Sequence, residues 1–194
     1  MSDERPCLDR GPIPESRYMP VLVPMTESEY LAFVDAAIPG YAADKVAAGQ
    51  WTAKESLALA KKSFDDLLPA GRSTTENHFF TILDAESVAV GSLWIAVQGR
   101  AGKRIAYIYD VGIKPEHQRR GHATRALLAL EDEIRALDLS GIALHVFGHN
   151  RGAQALYAKL GYAPTNINMY KPVAGAVAED PARLGSCGSR PVGP

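Results

Sequence analysis

Apolar residues along the first part of the chain predict one edge strand and one helix. The stretch 18–24 (YMPVLVP) is typical of a strand, and its prolines place it at a sheet edge, where a missing N–H is tolerated. Thr26 and Glu29 form the pattern of a capping box, which predicts a helix that begins there. Helical spacing continues in the apolar residues Leu31, Val34 and Ile38. We expect Pro39-Gly40 to end this helix.

A short helical piece is expected next, and then a longer helix from near Thr52 to Pro69. Its apolar stripe comprises Leu57, Ala60, Phe64, Leu67 and Leu68. The pattern then changes, because β-branched and aromatic residues dominate. They predict strands at Phe79–Leu83, Val88–Val97 and Ile105–Ile113, which the turns between them would join into an antiparallel meander.

After Ile113 the apolar spacing returns to that of a helix. One clean face is formed by Ala123, Ala126, Leu127, Leu130, Ile134 and Leu137. We expect a strand at Ile142–Phe147, a helix at Asn150–Leu160 that Gly161 ends, and a last strand at Thr165–Tyr170. The helix that connects the strands ending near 113 and starting near 142 implies that these two strands are parallel.

The predicted fold is therefore α+β, with helices on a mostly antiparallel central sheet. We expect a single domain at 17–171, preceded by a disordered tail at 1–16 and followed by a flexible tail at 172–194. Both tails lack apolar periodicity and are rich in proline, glycine or charge. Exchange of the last strand, or pairing of sheet edges, would allow a homodimer.

Composition excludes several classes of protein. The 194 residues are 46% hydrophobic and 22% charged, which is typical of a globular protein. Lys plus Arg number 21 and Asp plus Glu 22, so a formal net charge of −1 does not favour general attraction to nucleic acid or to a membrane. Apolar stretches fall far short of the roughly 20 residues that span a bilayer. The N-terminus does not resemble a secretory signal, so the expected location is cytoplasmic.

Metal binding is not expected either. Cys7 and Cys187 lie near opposite ends of the chain and have no CxxC spacing. The histidines His117, His122, His145 and His149 do not make a metal set either. His145 and His149 cross the end of a predicted strand, with Gly148 between them, and do not share a helix face as a zinc HExxH motif needs.

The strongest chemical signal is a basic turn between the strand that ends at Ile113 and the helix that begins near Gly121. It carries the cations Lys114, Arg119, Arg120 and Arg125. The first amides of a helix have no internal partner and carry a partial positive charge, so a diphosphate fits this turn. Gly121 and Ala123 leave room for its oxygens. A solvated basic helix start would share these features, whereas the P-loop and Rossmann patterns are absent.

Two segments resemble the GNAT superfamily of N-acyltransferases. Gln118–Ala123 (QRRGHA) matches the Q/R-x-x-G-x-G/A loop that binds the pyrophosphate of acyl-CoA in that family, with Ala123 where many members have glycine. The segment 150–162 (NRGAQALYAKLGY) is similar to its N-x-x-A-x-x-L-Y-x-x-x-G-F/Y segment. The resemblance is close over 79–171 and looser from about residue 17.

The resemblance implies a GNAT-like sheet of about six or seven strands, with helices on both faces and a parallel pair splayed apart at a bulge. It also implies acetyl-CoA as cosubstrate and no metal. The implied cofactor-binding residues are Val111, Gly112, Ile113, Gln118, Arg119, Arg120, Gly121, His122, Ala123, Thr124 and Asn150. The amides of Val111 and Ile113 would pair with the pantetheine arm. Gly112 would suit the bulge or make only a tight packing contact, and Asn150 is equally a preferred helix N-cap.

For catalysis, the resemblance implies that Tyr157 is the acid that protonates the leaving thiolate, although it could instead be a core aromatic residue. His145 is the candidate base. Its segment Leu144-His145-Val146, followed by Asn150, resembles the L-[EH]-V…N pattern in which family members that acetylate protein N-termini carry a Glu or His as base, and its reference pKa is near neutrality. It could equally be a structural histidine. Competing bases are Asp110, Tyr107, Tyr109 and Glu116. Aromatic residues that could line an acceptor pocket, or simply pack in the core, are Tyr41, Trp51, Phe79, Phe80 and Trp94.

The implied activity is transfer of an acetyl group from acetyl-CoA to a primary amine, on a small molecule or a peptide or protein N-terminus, in a ternary complex. A non-catalytic acyl-CoA sensor or scaffold is the main alternative. A nucleic-acid-binding domain that uses the basic turn is disfavoured, because charge elsewhere in the chain is acidic.

Overall fold

A computed structural model describes residues 21–171 and 173. The described chain folds into the elements β1 (Leu22–Pro24), α1 (Glu27–Ala47), α2 (Ser56–Leu67), β2 (Asn77–Leu83), β3 (Ala89–Arg100), β4 (Lys103–Ile113), α3 (His122–Ala136), β5 (Ile142–Leu144) and α4 (Arg151–Lys159). Short 3-10 turns lie at Gly71–Ser73 and Pro115–His117. The predicted tails, with Cys7 and Cys187, lie outside the described residues apart from Val173.

The five strands of the described chain form one sheet in the order β1-β2-β3-β4-β5. Neighbours are antiparallel except β4 and β5, which are parallel. This confirms the α+β class, the parallel pair and the edge position of the first strand. It does not confirm the predicted six or seven strands.

The last predicted strand is wrong. Residues 165–170 form no strand, and Ile167, Met169 and Tyr170 are 76%, 92% and 90% exposed. An alternating pattern shows which side chains could share a face, but a strand also needs a neighbouring edge for its backbone groups. In the structure this segment pairs with no edge.

The predicted end of the first helix at Pro39-Gly40 is also wrong, because α1 continues to Ala47. A proline inside a helix removes the backbone bond to the residue four positions earlier. Here Pro39 and Asp35 both lie on the exposed side, where water can bind the freed carbonyl. Beyond the proline, Ala42 is buried and the Tyr41 ring packs 6.3 Å from Phe64, so tertiary contacts hold the last turns of the helix.

The start of α1 is as predicted. The Oγ1 of Thr26 accepts from the amide of Glu29, and Glu29 Oε2 accepts from the amide of Thr26. Helix α2 begins at Ser56, four residues later than expected. On α2 and just after it Ala60, Phe64 and Leu68 are buried, but Leu57 and Leu67 of the predicted stripe are 55% and 38% exposed.

Apolar side chains cover both faces of the sheet. On one face α3 packs with Ala126, Leu127, Leu130 and Ile134, the residues that its spacing predicted. On the other face α1 and α2 pack against Phe79 and Trp94. Phe79 and its neighbour Phe80 therefore belong to opposite layers, as the alternation of a strand requires. None of the helices within 21–171 is both long and apolar enough to cross a membrane.

Candidate active site

The parallel strands separate at a β-bulge in β4. Trp94 of β3 is opposite Asp110 and Ile95 is opposite Ile108, which leaves Tyr109 as the extra residue. Pairing between β4 and β5 stops at the same level, with Ile108 opposite Leu144. A bulge bends its strand and ends regular pairing. The sheet is therefore open between the C-terminal ends of β4 and β5.

Backbone amides line the β4 side of this opening. The amide of Lys114 donates to the carbonyl oxygen of Val90 at 2.9 Å. Because amides in an antiparallel pair alternate in direction, that of Gly112 also faces β3, whereas those of Val111 and Ile113 point to the opposite side. No strand of the described chain pairs there beyond Ile108. The two amides predicted to meet a pantetheine arm thus face the opening.

Gly112 itself does not form the bulge, which lies three residues earlier at Tyr109. A Cβ on Gly112 would make only ordinary contacts, 3.7 Å from Ser92 Oγ and 3.8 Å from Asp110 Oδ2. The glycine that steric contact requires is Gly91 on β3, which lies opposite Ile113. A Cβ there would lie 2.2 Å from the carbonyl oxygen of Gly112.

Helix α3 begins at the same end of the opening with unpaired backbone donors. Gly121 is its N-cap at φ +81°, a conformation that favours glycine, and no side chain of the described residues caps the helix. The amides of His122, Ala123 and Thr124 follow as the first turn, which has no acceptor within the helix. Arg119 also has a positive φ of +62°. A Cβ on Gly121 would touch nothing within 4 Å, so the space in front of this turn is open.

Two polar side chains shape the turn rather than line it. Gln118 Nε2 donates to the carbonyl oxygen of Ile113 at 2.9 Å, which fastens the turn to the end of β4. His122 is buried, and its Nδ1 lies 2.7 Å from Arg125 Nη2. Desolvation, with the positive charge of Arg125, lowers the pKa of His122. Nδ1 therefore accepts the bond from Arg125. Arg119 and Arg120 are exposed beside the turn.

Asp110 and Tyr157 approach the opening from opposite sides. Asp110 follows the bulge, and burial raises its pKa to about 6, with a further contribution from the carboxylate of Asp44 on α1. Tyr157 projects from α4 and packs against the α3 side of the core. Burial raises the pKa of Tyr157, and the charge of Asp110 adds to the increase. The phenol is therefore protonated at neutral pH, and the carboxylate that influences it has a pKa raised to about 6.

His145 lies just beyond the paired part of β5, which ends at Leu144 and not at Phe147 as predicted. Ile142 and Leu144 were predicted to share one face of this strand, and in the structure both pack against the cluster on the α3 side of the sheet. The His145 side chain is exposed, and its ring centroid lies 5.1 Å from that of Phe147. Partial desolvation and the charge of Lys45 lower its pKa.

The other candidate bases fit the opening less well. Tyr107 and Tyr109 share a strand face, with ring centroids 5.0 Å apart. Burial raises the pKa of both phenols, so they remain protonated and cannot accept a proton at neutral pH. Glu116 is exposed in the turn before α3. Asn150 is the N-cap of α4, since its Oδ1 accepts from the amide of Ala153 at 3.1 Å.

The aromatic candidates separate into core and surface. Trp94, Phe79 and Phe80 are 2–7% exposed and belong to the core. Tyr41 and Trp51 are half-buried and pack edge to face, with centroids 5.4 Å apart. Within the described residues, no three His, Cys, Asp or Glu side chains are grouped to hold a metal ion.

Sequence reasoning missed the end of α1, where Asp44 and Lys45 reach the loop after β5. Asp44 Oδ1 lies 3.3 Å from His149 Nε2, and Lys45 lies over the ring of Phe147. No local signal indicates these contacts, because about 100 residues separate the partners and the helix was expected to end at residue 40.

Known proteins with this arrangement identify the family. The sequence profile described as "Acetyltransferase (GNAT) family" matches residues 45–162. The chain is 34% identical over 151 residues to the N-acetyltransferase YycN of Bacillus subtilis (strain 168), covering 78% of this chain and 97% of that protein. A second N-acetyltransferase of that organism, YdgE, is 34% identical over 147 residues, covering 76% and 94%.

The solved crystal structure of YycN superposes with a TM-score of 0.75, again over 78% of this chain and 97% of the other. A more distant relative is the mycothiol acetyltransferase of Nocardia farcinica (strain IFM 10152), at 29% identity over 130 residues. That alignment covers 66% of this chain but 40% of the relative. The family profile, the two relatives that align over most of their length and the shared fold agree. The chain therefore belongs to the GNAT family of acetyltransferases.

Proposed function

We propose that this acetyltransferase moves an acetyl group from acetyl-CoA directly to a primary amine while both are bound. The observation that carries the proposal is the opening of the sheet between β4 and β5, where Asp110 follows the bulge in β4 and Tyr157 projects from α4. The raised pKa of the Asp110 carboxylate and the protonated phenol of Tyr157 support it. One group can take a proton and the other can give one, as amide formation from a thioester requires.

The residues present fit acetyl-CoA, which would supply the thioester. The unpaired amides of the first turn of α3 suit its pyrophosphate, because such amides and the helix dipole favour anions. Arg119 and Arg120 add positive charge beside them. The amides of Val111 and Ile113 face the gap where an extended arm could pair as a strand does. Asn150 uses its Oδ1 for the helix cap, so its amide nitrogen is the atom left for the cofactor.

Asp110, rather than His145, is the base that we propose. Asp110 directly follows the bulge and its charge influences Tyr157, whereas the His145 ring is exposed beyond the end of β5. A pKa of about 6 leaves Asp110 mostly ionised at pH 7 and still basic enough to accept a proton. Glu116 is exposed in the turn before α3, and Tyr107 and Tyr109 are protonated at neutral pH, so these three residues fit the role of base less well.

The proton transfers follow from these positions. Asp110 accepts the proton that the acceptor nitrogen loses as it bonds to the carbonyl carbon. Tyr157 donates its proton to the sulfur as the C–S bond breaks, so a thiol leaves rather than a thiolate. A thiol has a pKa near 8.5 and a phenol near 10, so positioning must assist this second transfer.

Release of free thiol from acetyl-CoA, measured with a panel of primary amines, tests the proposal. We expect amine-dependent release, with an acetylated product of the corresponding mass. Calorimetry with acetyl-CoA should detect binding that Gly121→Glu weakens, since this change puts bulk and negative charge at the helix start. Tight binding without release with any amine would favour a non-catalytic acyl-CoA sensor and contradict the proposed enzyme.

A further inference from the structure

A lysine ammonium occupies a box of three aromatic rings on the side of the sheet that α1 and α2 cover. Lys45 Nζ lies 5.2 Å from the ring centroid of Tyr41, 5.4 Å from that of Trp51 and 5.8 Å from that of Phe147. Cations within about 6 Å of such a ring face are attracted to it. The three rings come from α1, from the segment before α2 and from the loop after β5, so the box holds Lys45 at a junction of three elements.

The same ammonium has no carboxylate partner among the described residues. Nζ donates to Gln50 Oε1 at 2.8 Å, and no described Asp or Glu lies within salt-bridge distance. The adjacent Asp44 contacts His149 instead. Lys45 lies in the last turn of α1, where the helix dipole favours a cation. Burial lowers the pKa of Lys45, as is expected for a positive charge that is half-buried and has no neighbouring carboxylate among the described residues.

This charge is connected to the end of β5, which borders the opening, through Phe147 and His145. The Phe147 ring in the box contacts His145, and His145 directly follows Leu144, the last residue that pairs with β4. The charge of Lys45 reaches His145, whereas the group that influences Asp110 is Asp44. The residues around the opening thus include a negative group, Asp110, and a separate positive group, Lys45.

We propose that Lys45 binds a carboxylate of the acceptor, so that the preferred acceptors are amines that also carry a carboxylate, such as amino acids or peptides. This inference rests on the proposed function. The amine would face Asp110, and the carboxylate would supply the counter-ion that Lys45 lacks. Buried charges are stable when paired, and a charge-assisted hydrogen bond is among the stronger ones in proteins.

Matched acceptors test the inference. We would measure kcat/KM by thiol release for a series of ω-amino carboxylates from glycine to 6-aminohexanoate. Each is compared with the alkylamine and the diamine of the same chain length. We expect at least one chain length at which kcat/KM for the amino carboxylate exceeds that for both the alkylamine and the diamine by about tenfold or more. One charged hydrogen bond would give an effect of this size.

Variants at Lys45 complete the test. Lys45→Met keeps an apolar arm in the box but removes the charge, so the preference for the amino carboxylate should fall to near one. Lys45→Arg should retain most of it. Lys61→Met is the control, because Lys61 is exposed on α2 and pairs with Asp65 at 2.7 Å. Thermal melting would confirm that each variant is folded.

The outcomes separate this inference from the proposed function. A preference for diamines or plain alkylamines overturns the role of Lys45 but leaves amine acetylation standing. The same holds if Lys45→Met keeps the wild-type preference in a folded protein. Absence of thiol release with every acceptor overturns the proposed function and the inference with it.

Discussion

The charge of the Asp110 carboxylate raises the pKa of the Tyr157 phenol, so the two groups influence each other across the gap between β4 and β5. The two residues come from different layers, since Asp110 follows the bulge in β4 and Tyr157 projects from α4. In the proposed mechanism Asp110 is the proton acceptor and Tyr157 is the proton donor. The first two predictions examine these roles separately.

Replacing Asp110 with Asn should lower kcat by about 100-fold, the order of magnitude that a positioned base contributes. In the wild type, kcat/KM should rise with pH through about 6, because Asp110 must lose its proton before it can act. The variant should lose this rise. His145→Gln is the matched comparison, and a pH–rate profile that His145→Gln abolishes and Asp110→Asn retains would assign the base to His145.

Replacing Tyr157 with Phe should lower kcat by about 10- to 100-fold with little change in the Kd of acetyl-CoA, because the ring stays and only the proton donor is lost. Tyr162→Phe is the control. That ring lies 5.5 Å from Tyr157, and burial raises the pKa of Tyr162 to about 12. Steady-state kinetics and calorimetry provide the two readouts. Equal kcat values for Tyr157→Phe and wild type would refute the acid role.

Two glycines with positive φ distinguish cofactor binding from backbone strain. Gly121→Ala and Gly102→Ala both place a Cβ in the left-handed region, at φ +81° and +76°, with no neighbour within 4 Å. Each should cost about 1 kcal/mol of folding free energy. Gly121→Ala alone should also weaken acetyl-CoA binding, because its Cβ projects at the start of α3. Calorimetry and thermal melting measure the two effects, and equal acetyl-CoA affinities for the two variants would argue against a cradle at α3.

Asp110 should also make stability depend on pH. Its pKa in the folded protein is about 6, above the ordinary value of 3.8, so the folded state holds the proton more tightly than the unfolded chain. This group therefore stabilises the fold least above pH 6, and its contribution falls as the pH rises from about 4 to 6. Asp110→Asn should gain in Tm relative to wild type over that range. A Tm difference that is constant with pH would contradict the shift.

The close contact between β3 and β4 gives a prediction on stability alone. Gly91→Ala would bring a Cβ to 2.2 Å from the carbonyl oxygen of Gly112, so the strands must move apart. Overpacking of this kind costs about 1–3 kcal/mol. Gly99→Ala, on the same strand with nothing within 4 Å, should melt close to wild type. Denaturant unfolding measures the free energy of unfolding of both variants. Similar losses would show that the strands accommodate the Cβ at residue 91 without cost and would contradict the prediction.

Features that depend on neighbouring residues were predictable from the sequence. The capping box is local because Thr26 and Glu29, three residues apart, bond each other's backbone. The glycine start of α3 is local because the positive φ of Gly121 favours glycine. The end of α1 was not predictable, because packing of Tyr41 and Ala42 outweighs the proline. The strand expected at 165–170 fails for a similar reason, since pairing depends on a distant edge. The box around Lys45 joins residues about 100 positions apart, beyond any local pattern.

The short contact between β4 and β5 has a consequence for how this enzyme can evolve. Three residue pairs join these strands, and each further pair would add hydrogen bonds and close part of the entrance. Mutations that extend the pairing of β4 and β5 past Leu144 should therefore raise thermal stability but lower turnover. Selection for activity should remove them. We expect engineered thermostable forms to gain their stability elsewhere, for example in the helices. The ends of β4 and β5 must stay unpaired beyond Leu144 for the entrance to remain open.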